Sequence, residues 1–243
     1  IGKAALAKLS NSTVVIFGIG GVGSYAAEAL ARSGIGNLVL VDYDDICLTN
    51  INRQIHALHS TVGQAKVEVM KRRILDINPS AQVVAVKEFF SAENAERLLS
   101  GKIDYVVDAI DTVSSKVCLA KECLRRGIPL ISSMGAGNRL SAANFRVADI
   151  AETRGDRLAR AVRRLLRREG ITRGIKVVYS TDPVLVPLTS EADCRNNCIC
   201  PEGDAHCALK RQVPGSIAFV PPVAGLLMAG EVVKDLIAEC PRN

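Results

Sequence analysis

The sequence predicts an α/β protein in which a doubly wound, mostly parallel β-sheet is flanked by helices. Two observations support this prediction. Short apolar runs of strand length alternate with amphipathic helical patterns along most of the chain. The first of these runs leads directly into a glycine-rich turn that opens a helix. With 243 residues, 48% of them apolar, the chain can bury a sizeable core.

Residues 13–42 follow the pattern strand, glycine turn, helix, strand and acid. Strand 13–17 precedes the turn, the helical pattern covers 24–32, and strand 37–41 ends at Asp42. The glycines of the turn are Gly18, Gly20, Gly21 and Gly23. Such a turn lets the backbone approach a ligand, and the helix N-terminus offers N–H groups to a phosphate. The Asp42 carboxylate can accept a hydrogen bond from a ribose hydroxyl. The pattern predicts a Rossmann-like nucleotide site, but the loop alone fits dinucleotides and ATP equally.

The residues after Asp42 favour ATP. Asp44, Asn50, Arg53 and Gln54 form a polar cluster that a dehydrogenase, which needs an apolar nicotinamide pocket, has little use for. An enzyme that splits ATP needs donors on the phosphates and a cation against the departing pyrophosphate. Here the chain resembles the ubiquitin-activating-enzyme-like superfamily of MoeB and ThiF. Residues 52–58, Asn-Arg-Gln-Ile-His-Ala-Leu, are similar to its tRNA threonylcarbamoyladenosine dehydratase branch. The resemblance extends to about residue 150 and resumes near residues 211–215.

Lys66 lies in the first turn of the next predicted helix, 64–77. A cation is unfavourable at that end of a helix unless a phosphate lies beside it. The resemblance implies that residues 63–66, Gly-x-x-Lys, place this lysine on ATP phosphates. The alternative is an ordinary exposed lysine.

Asp111 follows predicted strand 104–108, at the carboxyl end where parallel sheets bind ligands. The resemblance implies that it holds Mg²⁺ against the phosphates, for which one carboxylate is sufficient. Asp108 is the second choice. Thr112 is expected to cap helix 113–126, and Lys116 on its first turn to face the same phosphates. The resemblance assigns catalytic roles to Arg53, Lys66 and Asp111.

The remaining elements complete the predicted sheet and extend it. We expect strands at 82–87, 128–132, 144–150 and 175–180, and helices at 1–12, 94–99 and 155–170. Residues 218–225 lead into a closing amphipathic helix that ends at about residue 238. Residues 181–214 read as a long crossover loop, which the resemblance implies crosses the active site. We assign residues 1–150 to an ATP-binding adenylation region and residues 151–243 to a C-terminal part of the same domain.

The net charge of +6 is concentrated in one segment. Residues 151–170 hold seven arginines and three acids, which predicts contact with a polyanion. We assign tRNA phosphates to Arg160, Arg163, Arg164 and Arg167. The alternative is a solvated helix face.

Four of the eight cysteines, Cys194, Cys198, Cys200 and Cys207, lie within fourteen residues. They could bind zinc, although their spacing is unlike a zinc ribbon and His206 could replace one ligand. A disulfide formed on oxidation or reduced thiols are the alternatives. Cys47, Cys118, Cys123 and Cys240 are scattered and expected to remain thiols.

The expected chemistry is adenylation of a carboxylate, with ATP and Mg²⁺ as cofactors. The resemblance implies that the carboxylate belongs to N6-threonylcarbamoyladenosine at position 37 of tRNA, which then cyclises with loss of water and AMP. The alternative within the superfamily is activation of a ubiquitin-like sulfur-carrier protein, whose enzymes commonly carry two Cys-x-x-Cys pairs that this chain lacks. A nicotinamide-dependent oxidoreductase would leave Arg53, Lys66 and Asp111 without a role, and a non-enzymatic nucleotide-binding scaffold is the remaining class.

The resemblance further implies a homodimer and allows a sulfur-transfer-related protein as a partner. No signal peptide or membrane span is evident in the sequence, so we expect a cytoplasmic protein without a membrane partner.

Overall fold

The structure, a computed structural model, describes residues 1–186 and 215–241. Seven strands form a single sheet: β1 Thr13–Phe17, β2 Asn37–Val41, β3 Gln82–Val86, β4 Tyr105–Asp108, β5 Leu130–Ser133, β6 Phe145–Asp149 and β7 Lys176–Ser180. Their order is β3-β2-β1-β4-β5-β7-β6, and every pairing is parallel except the antiparallel pair of β6 and β7. The predicted doubly wound, mostly parallel α/β fold is confirmed.

Within the described residues, seven α-helices precede, connect or follow these strands: α1 Gly2–Ser10, α2 Gly23–Arg32, α3 Lys66–Ile77, α4 Ala95–Leu98, α5 Val113–Arg126, α6 Arg157–Arg168 and α7 Val220–Leu236. Short 3₁₀ turns occupy Leu48–Asn50, His59–Thr61 and Ile150–Glu152. The sequence therefore predicts every strand and α-helix of the described residues, with helix ends displaced by a few residues. No described helix has the length and apolar character needed to cross a membrane.

The sheet separates two hydrophobic cores because successive strand residues point to opposite faces. In β1, Val14 and Ile16 pack with residues of α2, α3 and α7, whereas Val15 and Phe17 pack with residues of α5 and α6. These four side chains of β1, which has five residues, are nearly inaccessible to solvent, as expected for a central parallel strand. The helices of both layers hold the carboxyl ends of the strands in fixed positions.

The strand order reverses between β1 and β4, which are neighbours in the centre of the sheet. On one side the chain winds outward through β2 and β3. On the other it passes from β5 to the edge strand β6 and returns as β7 between them. At such a switch point the connections leave in opposite directions and open a crevice at the carboxyl edge, where ligands bind.

Candidate active site

A cavity of about 530 Å³ lies at the carboxyl ends of β1, β2, β4 and β5. Ten sequence-predicted nucleotide-site residues line it: Gly18, Gly20, Gly21, Asp42, Asp44, Asn50, Arg53, Gln54, Lys66 and Asp111. These residues come from four separate segments of the chain. The other three predicted residues, Gly23, Thr112 and Lys116, do not line the cavity.

The glycine turn owes its shape to close backbone approaches. Gly18 has φ +87°, and a Cβ atom there would lie 2.6 Å from the Ala109 carbonyl oxygen. A Cβ atom at Gly23 would lie 1.8 Å from the Gly18 carbonyl oxygen. Both positions therefore exclude side chains, and Gly23 shapes the turn without reaching the cavity.

Asp42 fixes the glycine turn through its side chain. Its Oδ2 accepts a hydrogen bond of 2.6 Å from the Ile19 N–H, and its Oδ1 accepts one of 2.8 Å from the Asp44 N–H. Burial raises the pKa of this carboxyl. Each oxygen can accept a further bond, so a ribose contact stays a prediction alongside the structural role.

The segment after Asp42 folds back onto the start of α3. Ile46 N–H donates to the Gln64 carbonyl and Gly63 N–H to the Ile46 carbonyl, both at 2.9 Å. Lys66 is thereby placed against the cavity, where its Nζ donates to Asp44 Oδ2 at 2.7 Å. The lysine side chain is only 5% exposed, unlike the ordinary exposed lysine of the alternative interpretation.

Asn50, Arg53 and Gln54 share one compact turn. The Asn50 carbonyl accepts bonds from the N–H groups of Arg53 and Gln54, at 3.1 and 3.0 Å. The Arg53 Nη1 donates to the Thr49 carbonyl at 2.8 Å, and the arginine stem packs near Gly21. The buried Oε1 of Gln54 has no hydrogen-bond partner within the described residues. The turn thus presents a cation and an amide to the cavity.

Asp111 presents an exposed carboxylate to the cavity. Thr112 stands at the N-cap position of α5, as predicted, but makes no side-chain capping bond; its Oγ1 lies 3.4 Å from Asp111 Oδ1. An exposed carboxylate in a nucleotide cavity suits Mg²⁺, which takes one or two protein carboxylates and completes its shell with phosphate oxygens and water.

Lys116 departs from the expectation that it faces the phosphates. Its side chain is 1% exposed, and its Nζ donates to Asp108 Oδ2 at 2.9 Å and to Ser132 Oγ at 3.1 Å. Asp108 is equally buried and requires a cation or hydrogen-bond donors at this depth. The ammonium is therefore held under the sheet edge, and Asp108 forms this pair instead of lining the cavity.

The opposite wall of the cavity comes from the loop after β5 and the start of α6. Arg139 and Asp156 are both buried and form an ion pair with Nη2 and Oδ2 3.5 Å apart. Asp156 also accepts bonds from the N–H groups of Gly135, at 3.0 Å, and Ala159, at 2.9 Å. One carboxylate thus caps α6 and ties it to the loop after β5.

The model of the ThiF family matches residues 1–243. The chain belongs to the ThiF family. The tRNA threonylcarbamoyladenosine dehydratase of Bacillus subtilis is 50% identical over 240 residues, 98% of this chain and 92% of that protein. The sulfur carrier protein ThiS adenylyltransferase of Escherichia coli is 34% identical over 135 residues, 55% of this chain.

Solved structures of Escherichia coli tRNA N6-threonylcarbamoyladenosine dehydratase, TcdA, share the whole fold. The complex with AMP has a TM-score of 0.86 and 36% identity, and covers 100% of this chain and 92% of that chain. The complex with ATP has a TM-score of 0.84 at the same 36% identity, covering 98% and 90% respectively. This chain is therefore a ThiF-family protein whose fold extends over nearly all of TcdA.

Helix α6 in this ThiF-family chain has the amphipathic character predicted from the sequence. Val162 and Leu166 are buried, and the side chains of Arg160, Arg164 and Arg167 are exposed. Arg163 differs from them, because its Nη1 donates to the Thr153 carbonyl at 2.8 Å and also contacts Thr153 Oγ1. Arg163 thus anchors the turn before α6, and three of the four predicted arginines remain open to a polyanion.

The cysteine cluster at 194–207 lies outside the described residues, so its zinc, disulfide and free-thiol alternatives stay predictions. Cys118, Cys123 and Cys240 are free thiols, and the Cys47 Sγ lies 3.2 Å from Thr49 Oγ1. Within residues 1–186 and 215–241, no group of three or more histidine, cysteine, aspartate or glutamate side chains is arranged to hold a metal ion.

Several residues of the site escaped the sequence analysis. His56 belongs to the motif but has no assigned role, Asp156 and Arg157 enter only the charge of the basic segment, and Arg139 has no predicted role. An acid directly before a helical pattern is an N-cap signal, and Asp156 could have been found that way. The partner of Asp156, seventeen positions earlier, has no such local signal. Tyr43 and Phe89 form an edge-to-face aromatic pair on the cavity wall, with ring centroids 5.2 Å apart.

Proposed function

We propose that this protein uses ATP to cyclise N6-threonylcarbamoyladenosine at position 37 of tRNA, with loss of water, through an acyl adenylate. One observation carries the proposal. A single cavity joins the glycine turn to Arg53, Lys66 and Asp111, in a chain that is half identical over 98% of its length to a tRNA threonylcarbamoyladenosine dehydratase.

The cavity wall supports this chemistry through the placement of its charges. The glycine turn and the N-terminus of α2 offer N–H groups to phosphates, and Arg53 and Lys66 supply positive charge on the same side. As the substrate carboxylate attacks the α-phosphorus, these two cations stabilise the charge of the transition state and of the departing pyrophosphate. The carboxylate is already ionised, so this step needs no general base.

The second step takes place within the substrate. A nucleophile of the threonylcarbamoyl group attacks the activated carbonyl carbon, a ring closes and AMP leaves. ATP is converted to AMP and pyrophosphate, and the nucleoside loses the elements of water. Because both reacting groups belong to one side chain, the step gains from high effective molarity and needs no cysteine carrier.

Mg²⁺ is the cation that we assign to Asp111. The exposed carboxylate on the cavity wall is an oxygen ligand of the kind that Mg²⁺ prefers. When bound with the nucleotide, the ion would neutralise phosphate charge. Asn50, Gln54, Asp42 and Asp44 would position the remainder of the nucleotide.

We assign tRNA binding to Arg160, Arg164 and Arg167 on α6. The first residues of this helix line the cavity, and its exposed arginines extend away from there. A tRNA whose modified base enters the cavity would therefore lay its phosphates along a basic helix.

A homodimer is the assembly that we propose. Phe219, Leu226 and Leu227, at the start of and along α7, are 49%, 48% and 37% exposed. Exposed apolar side chains grouped on one helix are typical of an interface. Sedimentation equilibrium would test the proposal, and a monomer at micromolar concentration would contradict it.

The finer assignments from the sequence are retained as proposals. These are one domain with its adenylation region at 1–150 and its C-terminal part at 151–243, a cytoplasmic location, zinc at Cys194, Cys198, Cys200 and Cys207, and a sulfur-transfer-related partner. Elemental analysis of reduced protein tests the zinc, because a closed structural site stays loaded during purification.

The test of the reaction uses tRNA bearing the modified adenosine, with ATP and Mg²⁺. We expect the nucleoside released by digestion to have lost one water. Activation of a ubiquitin-like sulfur carrier is the competing function. It is tested by replacing the tRNA with a carrier protein that has a free C-terminal glycine.

A further inference from the structure

Four cationic side chains of the described residues line the cavity: Arg53, Lys66, Arg139 and Arg157. Three of them have partners within the protein. Lys66 pairs with Asp44, Arg139 pairs with Asp156, and Arg53 donates to Thr49 and Asn52. Within residues 1–186 and 215–241, the side chain of Arg157 makes no hydrogen bond or ion pair, and it is exposed where it lines the cavity.

The position of Arg157 in its helix is unfavourable without a ligand. It is the first residue of α6, directly after the N-cap Asp156, and no acidic residue stands in the first turn. A cation at this end opposes the helix dipole, which favours anions. An anion bound at the cavity mouth would reverse this effect, since it would face both the guanidinium and the positive end of the helix.

Buried contacts fix the backbone that carries Arg157. Asp156 caps α6 through Ala159, accepts from Gly135 and pairs with Arg139. Arg139 also donates to the carbonyls of Gly135, at 3.0 Å, and of Asp182 beyond β7. Three cavity-forming segments therefore meet at this ion pair. The neighbouring guanidinium projects from a rigid base, as a group that selects its ligand must.

We propose that Arg157 binds the carboxylate of the substrate and determines specificity for it; the inference rests on the proposed function. In the reaction, a carboxylate must approach the negatively charged phosphates of ATP. Their repulsion is stronger inside a cavity than in bulk water. Arg53 and Lys66 follow β2, on the side of the sheet that carries the glycine turn, whereas Arg157 lies between β6 and β7, on the other side of the β1–β4 switch point. A guanidinium there offers two parallel N–H donors to a carboxylate and offsets that repulsion.

The test compares two ligands that differ only at the carboxylate. One is an anticodon stem-loop RNA bearing the threonylcarbamoyl group, and the other carries its methyl ester. Binding is measured in the presence of an ATP analogue with a methylene group between the α- and β-phosphates, so that no adenylate forms. We expect wild-type protein to bind the acid about tenfold or more tightly than the ester, as for one charge-assisted hydrogen-bonding pair.

The variant Arg157→Ala should lose this preference and bind acid and ester alike, with unchanged affinity for the ATP analogue. Arg157→Lys should retain part of the preference, because it keeps the charge but not the planar pair of donors. Arg168→Ala is the matched control, since it removes an exposed arginine at the other end of α6 and should leave the preference intact. The melting temperature of Arg157→Ala should not fall.

Two results would overturn the inference while leaving the proposed function in place. In one, wild-type protein cyclises the modified adenosine but Arg157→Ala still prefers the acid. In the other, Arg157→Ala loses affinity for the acid and for the ester by the same factor, so that the preference between them is unchanged. That result would assign Arg157 to RNA phosphates. If wild-type protein fails to cyclise the modified adenosine at all, the proposed function fails, and the inference fails with it.

Discussion

The Nε2 atom of His56 lies 2.7 Å from the carbonyl oxygen of Ile19, in the middle of the glycine turn. The N–H of Ile19 is bound at the same time by Asp42. Burial lowers the pKa of His56 to about 4, so the imidazole is neutral at physiological pH. A neutral ring must carry its proton on Nε2 to donate to a carbonyl. The peptide groups on both sides of Ile19 are thereby held by side chains, which fixes the conformation of the glycine turn.

We expect His56→Phe to weaken ATP binding by on the order of tenfold, because it leaves the Ile19 carbonyl without its donor. His56→Gln should retain most of the affinity, since its amide can place an N–H near the former Nε2. Isothermal titration with ATP would measure both. A loss in His56→Gln but not in His56→Phe would show that ring packing, and not the hydrogen bond, holds the turn.

The lowered pKa of His56 also makes stability depend on pH. In the unfolded chain the imidazole takes up its proton near pH 6.5, whereas in the folded protein it does so near pH 4. Between these values the unfolded state binds more protons, so stability falls as the pH is lowered. Relative to His56→Gln, wild-type protein should lose stability on the order of 3 kcal/mol as the pH falls through this window. Above the window the difference in stability should not change with pH. Urea titrations at several pH values would measure the difference, which should be constant if His56 titrates normally.

Replacing Lys66 or Arg53 with alanine should lower adenylation by orders of magnitude, because each removes positive charge from the phosphate end of the cavity. The variants should fold, as judged by circular dichroism. Lys71→Ala is the matched control, on the same helix as Lys66 but outside the cavity wall. Wild-type exchange of pyrophosphate into ATP in either variant would remove that residue from the mechanism.

Reversing Arg160, Arg164 and Arg167 to glutamate should weaken tRNA binding and flatten the dependence of log K on log salt, because fewer counterions are released. Three exposed lysines outside α6, Lys3, Lys8 and Lys102, provide a charge-matched control. Filter binding across a range of salt would give the slopes. An unchanged slope would assign α6 to an ordinary solvated face.

Arg163→Ala should instead lower the melting temperature, because its guanidinium holds the turn at Thr153.

Replacing Lys116 with methionine should destabilise the fold by about 3–5 kcal/mol, because it leaves Asp108 buried beside Ser132 without its cation. Lys121 is on the same helix as Lys116 and forms an exposed ion pair with Glu169 at the end of α6. Lys121→Met should therefore change stability little. Urea denaturation would compare the two. Similar small effects in both would mean that Asp108 is satisfied without Lys116.

The sequence carried most of the fold because apolar periodicity and glycine positions are local signals. The strands around Gly18 and Asp42, and the helix that carries Lys66, follow directly from such signals. Side-chain direction is not local. Lys116 and Lys66 both stand in the first turn of a helix after a strand, yet one points under the sheet edge and the other into the cavity. The buried Asp108 decides the first and the folded-back segment at Asp44 decides the second, and both depend on tertiary packing.

The site was predicted unevenly for the same reason. Arg53, Gln54 and Asp111 follow from their motifs, whereas the Arg139–Asp156 pair joins positions whose proximity only the sheet order creates. Arg163 looked equivalent to its neighbours on α6, because a helical pattern cannot reveal that the turn at Thr153 packs beside it.

The most direct test of the central claim is ATP–pyrophosphate exchange, followed by nucleoside analysis, with two alternative substrates. One is tRNA carrying N6-threonylcarbamoyladenosine, with unmodified tRNA as its control, and the other is a ubiquitin-like sulfur-carrier protein. We predict exchange with the modified tRNA alone, together with a nucleoside product that has lost one water. Exchange with the carrier protein and none with modified tRNA would contradict the account.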